Sequence, residues 1–244
     1  MHIAVFQFGD PWYALASTSL VNGLLAAYPG SNIHWITSSE NLPLFQYNKR
    51  LAEVCVGENS LHRKCDLAIN LTPSPYCCQA MKSGDFGSRS GFVFDKNEIG
   101  VSDVSLSEIL GVANGEQKTS KHVLQILFKL AGLKWRGEGY DLTYYPRNKM
   151  SKTKTGVAVD DDSLRQFIWD NLHLEYSKLW HVPMKQNLLK RIDEINRVKR
   201  IITNDWFCLH AAIALKKHVE FVDNQNYNMS VEFFGSGNHY RIET

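Results

Sequence analysis

The chain has 244 residues, of which 44% are hydrophobic and 21% are charged, and its formal net charge is +2 at neutral pH. This length suffices for one large domain or two small ones that bury a core. A net charge this small gives no support to nucleic acid or a membrane surface as a partner, leaves both open, and does not exclude a local basic patch.

Cysteine usage and the start of the chain bear on its compartment. The five cysteines are odd in number, include the adjacent pair Cys77-Cys78, and show no CxxC spacing. This usage is typical of a reduced, cytoplasmic protein without structural zinc. The first residues look like a strand rather than a leader peptide, and no stretch approaches the roughly 18 apolar residues of a membrane-spanning helix. The sequence therefore predicts neither secretion nor a membrane span.

Strand-like and helical segments alternate along the first half. Strands are predicted at 2–7, 33–36, 52–56, 67–71 and 91–94, with a long helix at 12–28. Residues 105–133 carry helical patterning that breaks at Asn114-Gly115, and Gly132 closes the second of these helices. This alternation predicts an α/β fold with a parallel, doubly wound sheet.

A second, smaller α/β unit is predicted after a boundary near residue 140, which gives domains 1–140 and 141–244. Strands are predicted at 156–159, 177–180, 199–202 and 218–222, and helices at 162–171, 184–196 and 205–215. The polar tail from Asp223 is expected to form a coil or a short strand.

An aspartate stands at a strand-to-helix junction near each end of the chain. Asp10 follows the first strand and Gly9, and Asp205 follows the strand at 199–202. Ligands of α/β proteins bind at the carboxyl ends of parallel strands, so both aspartates are candidate site residues. Each also has a simpler interpretation as a helix N-cap, and Pro11 suits the first helical position after Asp10.

Charged and titratable side chains near these junctions allow two interpretations each. His210 lies in the predicted helix after Asp205, where free backbone N–H groups suit a phosphate, although a single helical histidine is often structural. Lys149, Lys152 and Lys154 are suited to a diphosphate or a nucleic-acid backbone, or they form a solvated loop. The sequence contains no GxGxxG or P-loop motif.

Three segments, in the same order, resemble the heptosyltransferases, family 9 of the glycosyltransferases. The stretch from Gly9-Asp10-Pro11-Trp12 to Tyr28-Pro29-Gly30 resembles the opening of that family. Asp66-Leu67-Ala68-Ile69-Asn70-Leu71 is similar to its Asp-Leu-Val-Ile-Asp/Asn-Leu strand. Ile202 to Ala212 resembles its signature Thr-x-Asp-Thr-Gly-x-x-His-x-Ala.

The resemblance implies a GT-B-like architecture, in which two Rossmann-like domains with parallel sheets face a central cleft. Because the chain is shorter than typical members, mostly in its second half, the second domain is expected to be reduced. It implies a metal-independent, inverting glycosyltransferase without a cofactor, whose co-substrate is a nucleotide-sugar donor. Asp10 is then the base that deprotonates the acceptor hydroxyl, and Thr203, Asp205 and His210 belong to the donor side.

The acceptor implied by the resemblance is a lipopolysaccharide-type glycan. Two alternatives stay open: DNA with hydroxymethylated bases, as modified by some bacteriophage enzymes, and a non-catalytic binding protein that kept the fold.

Departures from the family pattern fall in the second half. Trp206-Phe207 replaces the small Thr-Gly pair that lets a backbone approach phosphates, and Asp160 to Asp162 stand where the family places hydroxyl residues and a lysine. That acidic run is suited to a hard cation or to a helix start. The lysines at 149, 152 and 154 are a hypothetical replacement for the missing cation.

Overall fold

The computed structural model describes residues 1–57, 64–96, 98–113, 121–147, 155–159, 166, 179–223 and 238–241. These residues form two compact units, the first spanning Met1–Thr143 and the second beginning at Tyr144. Each unit is built on its own sheet.

The first unit contains a six-stranded sheet in the order β3-β2-β1-β4-β5-β6. Its strands are β1 His2–Gln7, β2 Asn32–Thr37, β3 Glu53–Val56, β4 Cys65–Asn70, β5 Phe86–Asp95 and β6 Glu98–Val101. The first five are parallel to their neighbours, and β6 runs antiparallel to β5. Its helices are α1 Pro11–Ser17, α2 Ser19–Ala27, α3 Leu42–Phe45, α4 Pro75–Ser83, α5 Ser107–Ala113 and α6 Val123–Leu130, with a 3-10 turn at Val104–Leu106 before α5.

The central strands carry continuous apolar runs because helices cover both faces of a parallel sheet. Ile3, Ala4 and Val5 of β1 are fully buried. Helices α2 and α6 are tightly packed at Gly23 of α2, where a Cβ would lie 2.4 Å from the ring of Phe128 on α6. The predicted parallel sheet is confirmed.

The predicted helix at 12–28 is interrupted at Thr18. The hydroxyls of three consecutive residues, Ser17, Thr18 and Ser19, each donate to the backbone carbonyl three residues earlier, at distances of 2.7, 2.7 and 2.8 Å. Such back-bonding competes with the backbone ladder and bends helices. The result is two helices, α1 and α2, joined at Thr18.

The predicted strand at 91–94 is the outer half of a longer one. β5 starts at Phe86, pairs with β4 as far as Gly91, and continues to Asp95 as a hairpin with β6. At Gly91, φ is +89° and a Cβ would lie 2.1 Å from the carbonyl oxygen of Asn70, so glycine is required where β5 leaves β4.

The second unit contains a five-stranded parallel sheet in the order β11-β10-β9-β7-β8. Its strands are β7 Thr155–Ala158, β8 Leu179–His181, β9 Arg200–Thr203, β10 His218–Asp223 and β11 Asn238–Arg241, and its described helices are α7 Leu188–Asn196 and α8 Trp206–Ala214. The tail thus contains a short strand. The predicted helix at 162–171 lies outside the described residues except at 166.

No helix in the described part of the chain combines the length and the apolar character that crossing a membrane requires.

Candidate functional site

Each sheet has one point where its strand order reverses. In the first unit this point lies between β1 and β4, and in the second it lies between β7 and β9. Ligands of open α/β sheets bind in the crevice at the carboxyl ends of such strand pairs. Asp10 follows the end of β1, and Asp205 follows the end of β9. Both aspartates therefore lie at the ligand-binding edge of their own sheet.

A cavity of about 320 Å³ opens at the reversal point of the first sheet. Gly9, Asp10, Trp12 and Tyr13 contribute to it from the β1–α1 junction. The loop after β4 adds Leu71, Thr72 and Pro73, and the remaining lining residues, all apolar, are Phe92, Ile109, Val112, Ala113 and Ile126.

Asp10 occupies the N-cap position of α1, but its side chain makes no capping hydrogen bond. Its backbone carbonyl accepts from the N–H of Ala14 at 2.9 Å, and Pro11 stands at the start of the helix. The side chain is exposed at the cavity, and no described residue binds its carboxylate. The carboxylate of Asp10 is therefore available to a ligand.

The turn that carries Asp10 is fixed by side chains from neighbouring loops. The Asn41 side-chain amide donates to the carbonyl oxygen of Gly9 at 2.7 Å. The N–H of Phe8 donates to Oγ1 of Thr72 at 2.8 Å. A Cβ at position 9 would lie 3.0 Å from the ring of Tyr13, so the glycine before Asp10 allows this ring to pack against the turn. These contacts hold Asp10 at the edge of the cavity.

Tyr13 lines the cavity and carries a neutral hydrogen-bond donor. Burial raises the pKa of the Tyr13 phenol above its usual value, so the hydroxyl keeps its proton. Within the described ranges, this hydroxyl has no hydrogen-bond partner. Sequence reasoning missed Tyr13, although its position three residues after Asp10 on the same helix was a signal.

Asp205, in contrast, is engaged within the protein. Its Oδ1 accepts from the backbone N–H of Cys208 at 2.7 Å, which caps α8, and the same oxygen forms an ion pair with Nη2 of Arg191 on α7. The side chain of Asp205 thus caps its helix, as the capping interpretation predicts, whereas the side chain of Asp10 does not cap α1.

Arg191 is a second feature that sequence reasoning missed. Its guanidinium lies 4.7 Å from the ring centroid of Phe207 and donates to Sγ of Cys208 at 3.2 Å. Burial, followed by the negative charge of Asp205, raises the pKa of Cys208 to about 12, so this thiol remains neutral. Arg191 is 14 residues from Asp205 on another helix, and no local sequence pattern connects them.

Thr203 and His210, also predicted for the donor side, are buried. The Thr203 hydroxyl donates to the carbonyl oxygen of Ala158 at 2.7 Å and accepts from the N–H of Asp205 at 3.0 Å. The His210 ring is stacked against Trp206 with a centroid distance of 6.1 Å. The structure thus brings Thr203 and Asp205 into contact at the carboxyl end of β9.

The predicted basic loop, which carries Arg147 and the lysines at 149, 152 and 154, is described by the structure only as far as Arg147. Arg147 is exposed, and its backbone N–H donates to Oδ1 of Asp193 at 2.7 Å. Lys149, Lys152 and Lys154, like the acidic run 160–162, lie outside the described residues, so their proposed contacts with a diphosphate stay predictions.

Two Rossmann-like units, each with its own ligand-binding edge, define a GT-B-like fold with a reduced second unit. No protein-family model and no curated protein matches the sequence. Solved structures do match it. The glycosyl transferase family 9 protein of Veillonella parvula is 12% identical with a TM-score of 0.67, and the alignment covers 100% of this chain and 88% of that one.

Two Escherichia coli proteins give similar results. The heptosyltransferase WaaC with ADP is 10% identical with a TM-score of 0.64, over 100% of this chain and 91% of that one. The ADP-heptose lps heptosyltransferase II is 15% identical with a TM-score of 0.58, over 98% of this chain and 93% of that one. The predicted resemblance is therefore confirmed for the fold across nearly the whole chain. At identities this low the fold does not establish the reaction, which has to be inferred from the residues of the site.

Proposed function

We propose that this protein is a nucleotide-sugar-dependent glycosyltransferase in which Asp10 is the catalytic base. The observation that carries the proposal is the unengaged carboxylate of Asp10 at a cavity on the ligand-binding edge of the first sheet. A carboxylate that serves only to cap a helix would bind the first-turn N–H groups, as Asp205 does.

The proposed reaction is a single inverting displacement that needs no metal. Asp10 takes the proton of an acceptor hydroxyl, since a neutral hydroxyl is a poor nucleophile. The acceptor oxygen forms a bond to the anomeric carbon while the bond from that carbon to the diphosphate breaks. The nucleoside diphosphate leaves with the electron pair, and the proton remains on Asp10.

The donor is proposed to bind at the carboxyl edge of the second sheet. ADP accompanies one of the similar structures, and ADP-2-deoxy-2-fluoro heptose accompanies another, so ADP-sugars are the first donors to test. In this proposal Asp205 holds the start of α8 in place through Cys208, and the backbone there faces the leaving diphosphate. Arg191 is proposed to supply a positive charge beside the leaving diphosphate.

The test has two stages. Thermal-shift measurements with ADP-, UDP-, GDP- and CMP-sugars identify the donor, because a ligand at 100 times its dissociation constant adds about 2.7 kcal/mol of stability. Release of the nucleoside diphosphate is then measured for the parent, for Asp10→Asn, and for the control Asp85→Asn, which changes an exposed aspartate just before β5. We expect Asp10→Asn to lose about 10²–10⁴-fold in rate and the control to lose nothing. Equal rates in the two variants would eliminate Asp10 as the base.

A second candidate is a binding protein of the same fold without transferase activity. It is favoured by the engagement of the Asp205 carboxylate with Arg191 and Cys208, and by the buried Trp206 and Phe207 at the start of α8. A thermal shift with a nucleotide or a glycan, without turnover of any nucleotide sugar, would support this candidate over the enzyme.

A further inference from the structure

We propose that the cavity beside Asp10 binds an uncharged acceptor in which an apolar ring is attached to the unit that bears the reactive hydroxyl. The inference deepens the proposed function, since it names the class of acceptor that Asp10 deprotonates. It separates this chain from an enzyme whose acceptor is an acidic or phosphorylated sugar.

The first observation is the charge of the cavity. Among the described residues that line it, Asp10 is the sole charged side chain, and no lysine or arginine is present. A carboxylate or phosphate on the acceptor would therefore lie near the negative charge of Asp10, and no described lining residue supplies a compensating cation. An uncharged acceptor carries no such penalty.

The second observation is the apolar wall formed by the lining residues from β5, α5 and α6. Phe92 and Ile109 are 2% and 4% exposed, Ile126 is 5% exposed, and none of these side chains offers a polar atom. Each sugar hydroxyl that is buried against this wall without a partner would lower affinity roughly 5- to 150-fold. An aromatic or aliphatic ring gains affinity from the same surface.

The third observation is where the polar groups stand. Two lining residues with a hydroxyl are Tyr13, from the junction that also carries Asp10, and Thr72, from the loop after β4. The Tyr13 phenol is a neutral donor without a described partner, so it is suited to an uncharged acceptor oxygen beside the reacting hydroxyl. Tyr13 is thus proposed as a residue that determines specificity.

The size of the cavity agrees with this class of ligand. A volume of about 320 Å³ is near the lower end of ligand-binding pockets and suits a single sugar with one attached ring rather than a chain of sugars.

The test compares three ligands that differ in one feature each, on the full chain and without a nucleotide sugar. Phenyl β-D-glucopyranoside is uncharged and has an apolar ring, methyl β-D-glucopyranoside lacks the ring, and phenyl β-D-glucuronide adds a carboxylate. Titration calorimetry and ligand-observed NMR should show the phenyl glucoside binding at least about 10-fold more tightly than the other two, as expected for one buried ring and one avoided charge repulsion.

Variants assign this binding to the cavity. Tyr13→Phe should weaken the phenyl glucoside roughly 2- to 13-fold, the effect of one hydrogen bond. The matched control Tyr28→Phe, at the end of α2 and away from the lining, should leave it unchanged. Ala113→Lys places a cation at an exposed lining position in the last turn of α5, which helices tolerate, and should raise affinity for the glucuronide.

Three results would overturn the proposal: equal binding of the methyl and phenyl glucosides, preference of the parent for the glucuronide, or no response to Tyr13→Phe and Ala113→Lys. These outcomes are independent of turnover. Transfer to acidic acceptors would refute this inference and leave the proposed function in place. The expected ligand preference without transfer of any sugar would refute the proposed function and leave the ligand class of the cavity in place.

Discussion

The two junction aspartates differ in what they do for stability, and this difference gives the sharpest prediction. Asp10→Ala removes an exposed carboxylate that caps nothing, whereas Asp205→Ala removes both a helix cap and the ion-pair partner of Arg191. We expect Asp10→Ala to change the free energy of unfolding by no more than about 0.5 kcal/mol.

The expected loss for Asp205→Ala follows from its two contacts. A lost N-cap costs about 1 kcal/mol. The side chain of Arg191 is 11% exposed and that of Asp205 is 28% exposed, so the lost pairing should cost less than the about 3–5 kcal/mol of a fully buried pair. We take about 2 kcal/mol for the pair and expect a total of about 3 kcal/mol.

Urea unfolding followed by circular dichroism measures both variants. Asp205→Asn should fall between Asp205→Ala and the parent, because its amide oxygen still accepts from the N–H of Cys208 while its charge is gone. A double-mutant cycle with Arg191→Met isolates the coupling between the two side chains. A loss above about 1.5 kcal/mol for Asp10→Ala, or an unchanged midpoint for Asp205→Ala, would refute the contrast between the two junctions.

Three further predictions concern packing, pH and nucleic acid. Gly91→Ala places a Cβ 2.1 Å from a carbonyl oxygen at a φ of +89° and should cost at least about 2 kcal/mol in denaturant unfolding, whereas an unchanged midpoint would contradict the geometry at the end of β4. Burial raises the pKa values of Cys78 and Cys208 from 9.0 to about 11 and about 12. Above pH 9 the unfolded chain therefore loses thiol protons that the folded chain keeps, and stability should fall by about 1.4 kcal/mol per pH unit per thiol, with a shallower fall in Cys208→Ala. If DNA is the acceptor, affinity for duplex DNA should drop by about 10³-fold or more between 50 and 200 mM salt, and the absence of binding at low salt would remove that alternative.

The strands of the first half were predictable because a parallel strand that is buried on both faces appears in the sequence as a continuous run of apolar residues. β1 at 2–7 matches the prediction in full, and the position of Asp10 follows from the end of that strand. The hairpin of β5 and β6 was not predictable in the same way, because Gly91 and Ser90 interrupt the apolar pattern in the middle of β5. A short return strand with an irregular pattern, Glu98–Val101, gave no signal of its own.

The helix break and the second junction were missed for different physical reasons. Ser17, Thr18 and Ser19 do signal a break, but only if side-chain competition for backbone carbonyls is weighed against the apolar periodicity around them. The pairing of Arg191 with Asp205 is a tertiary contact between two helices, which no periodicity in either helix contains.

The hairpin has an evolutionary consequence. The chain leaves the parallel sheet at Gly91, and the stretch from there to the end of α5 carries much of the apolar cavity wall, including Phe92, Ile109 and Val112. Replacement of this contiguous stretch would remodel the wall without altering the strand and turn that hold the carboxylate. In the proposed function, the apolar surface for the ligand and the carboxylate that acts as base thus lie in separate parts of the sequence, while Tyr13 stays beside the carboxylate, so the apolar surface can change while the base is retained.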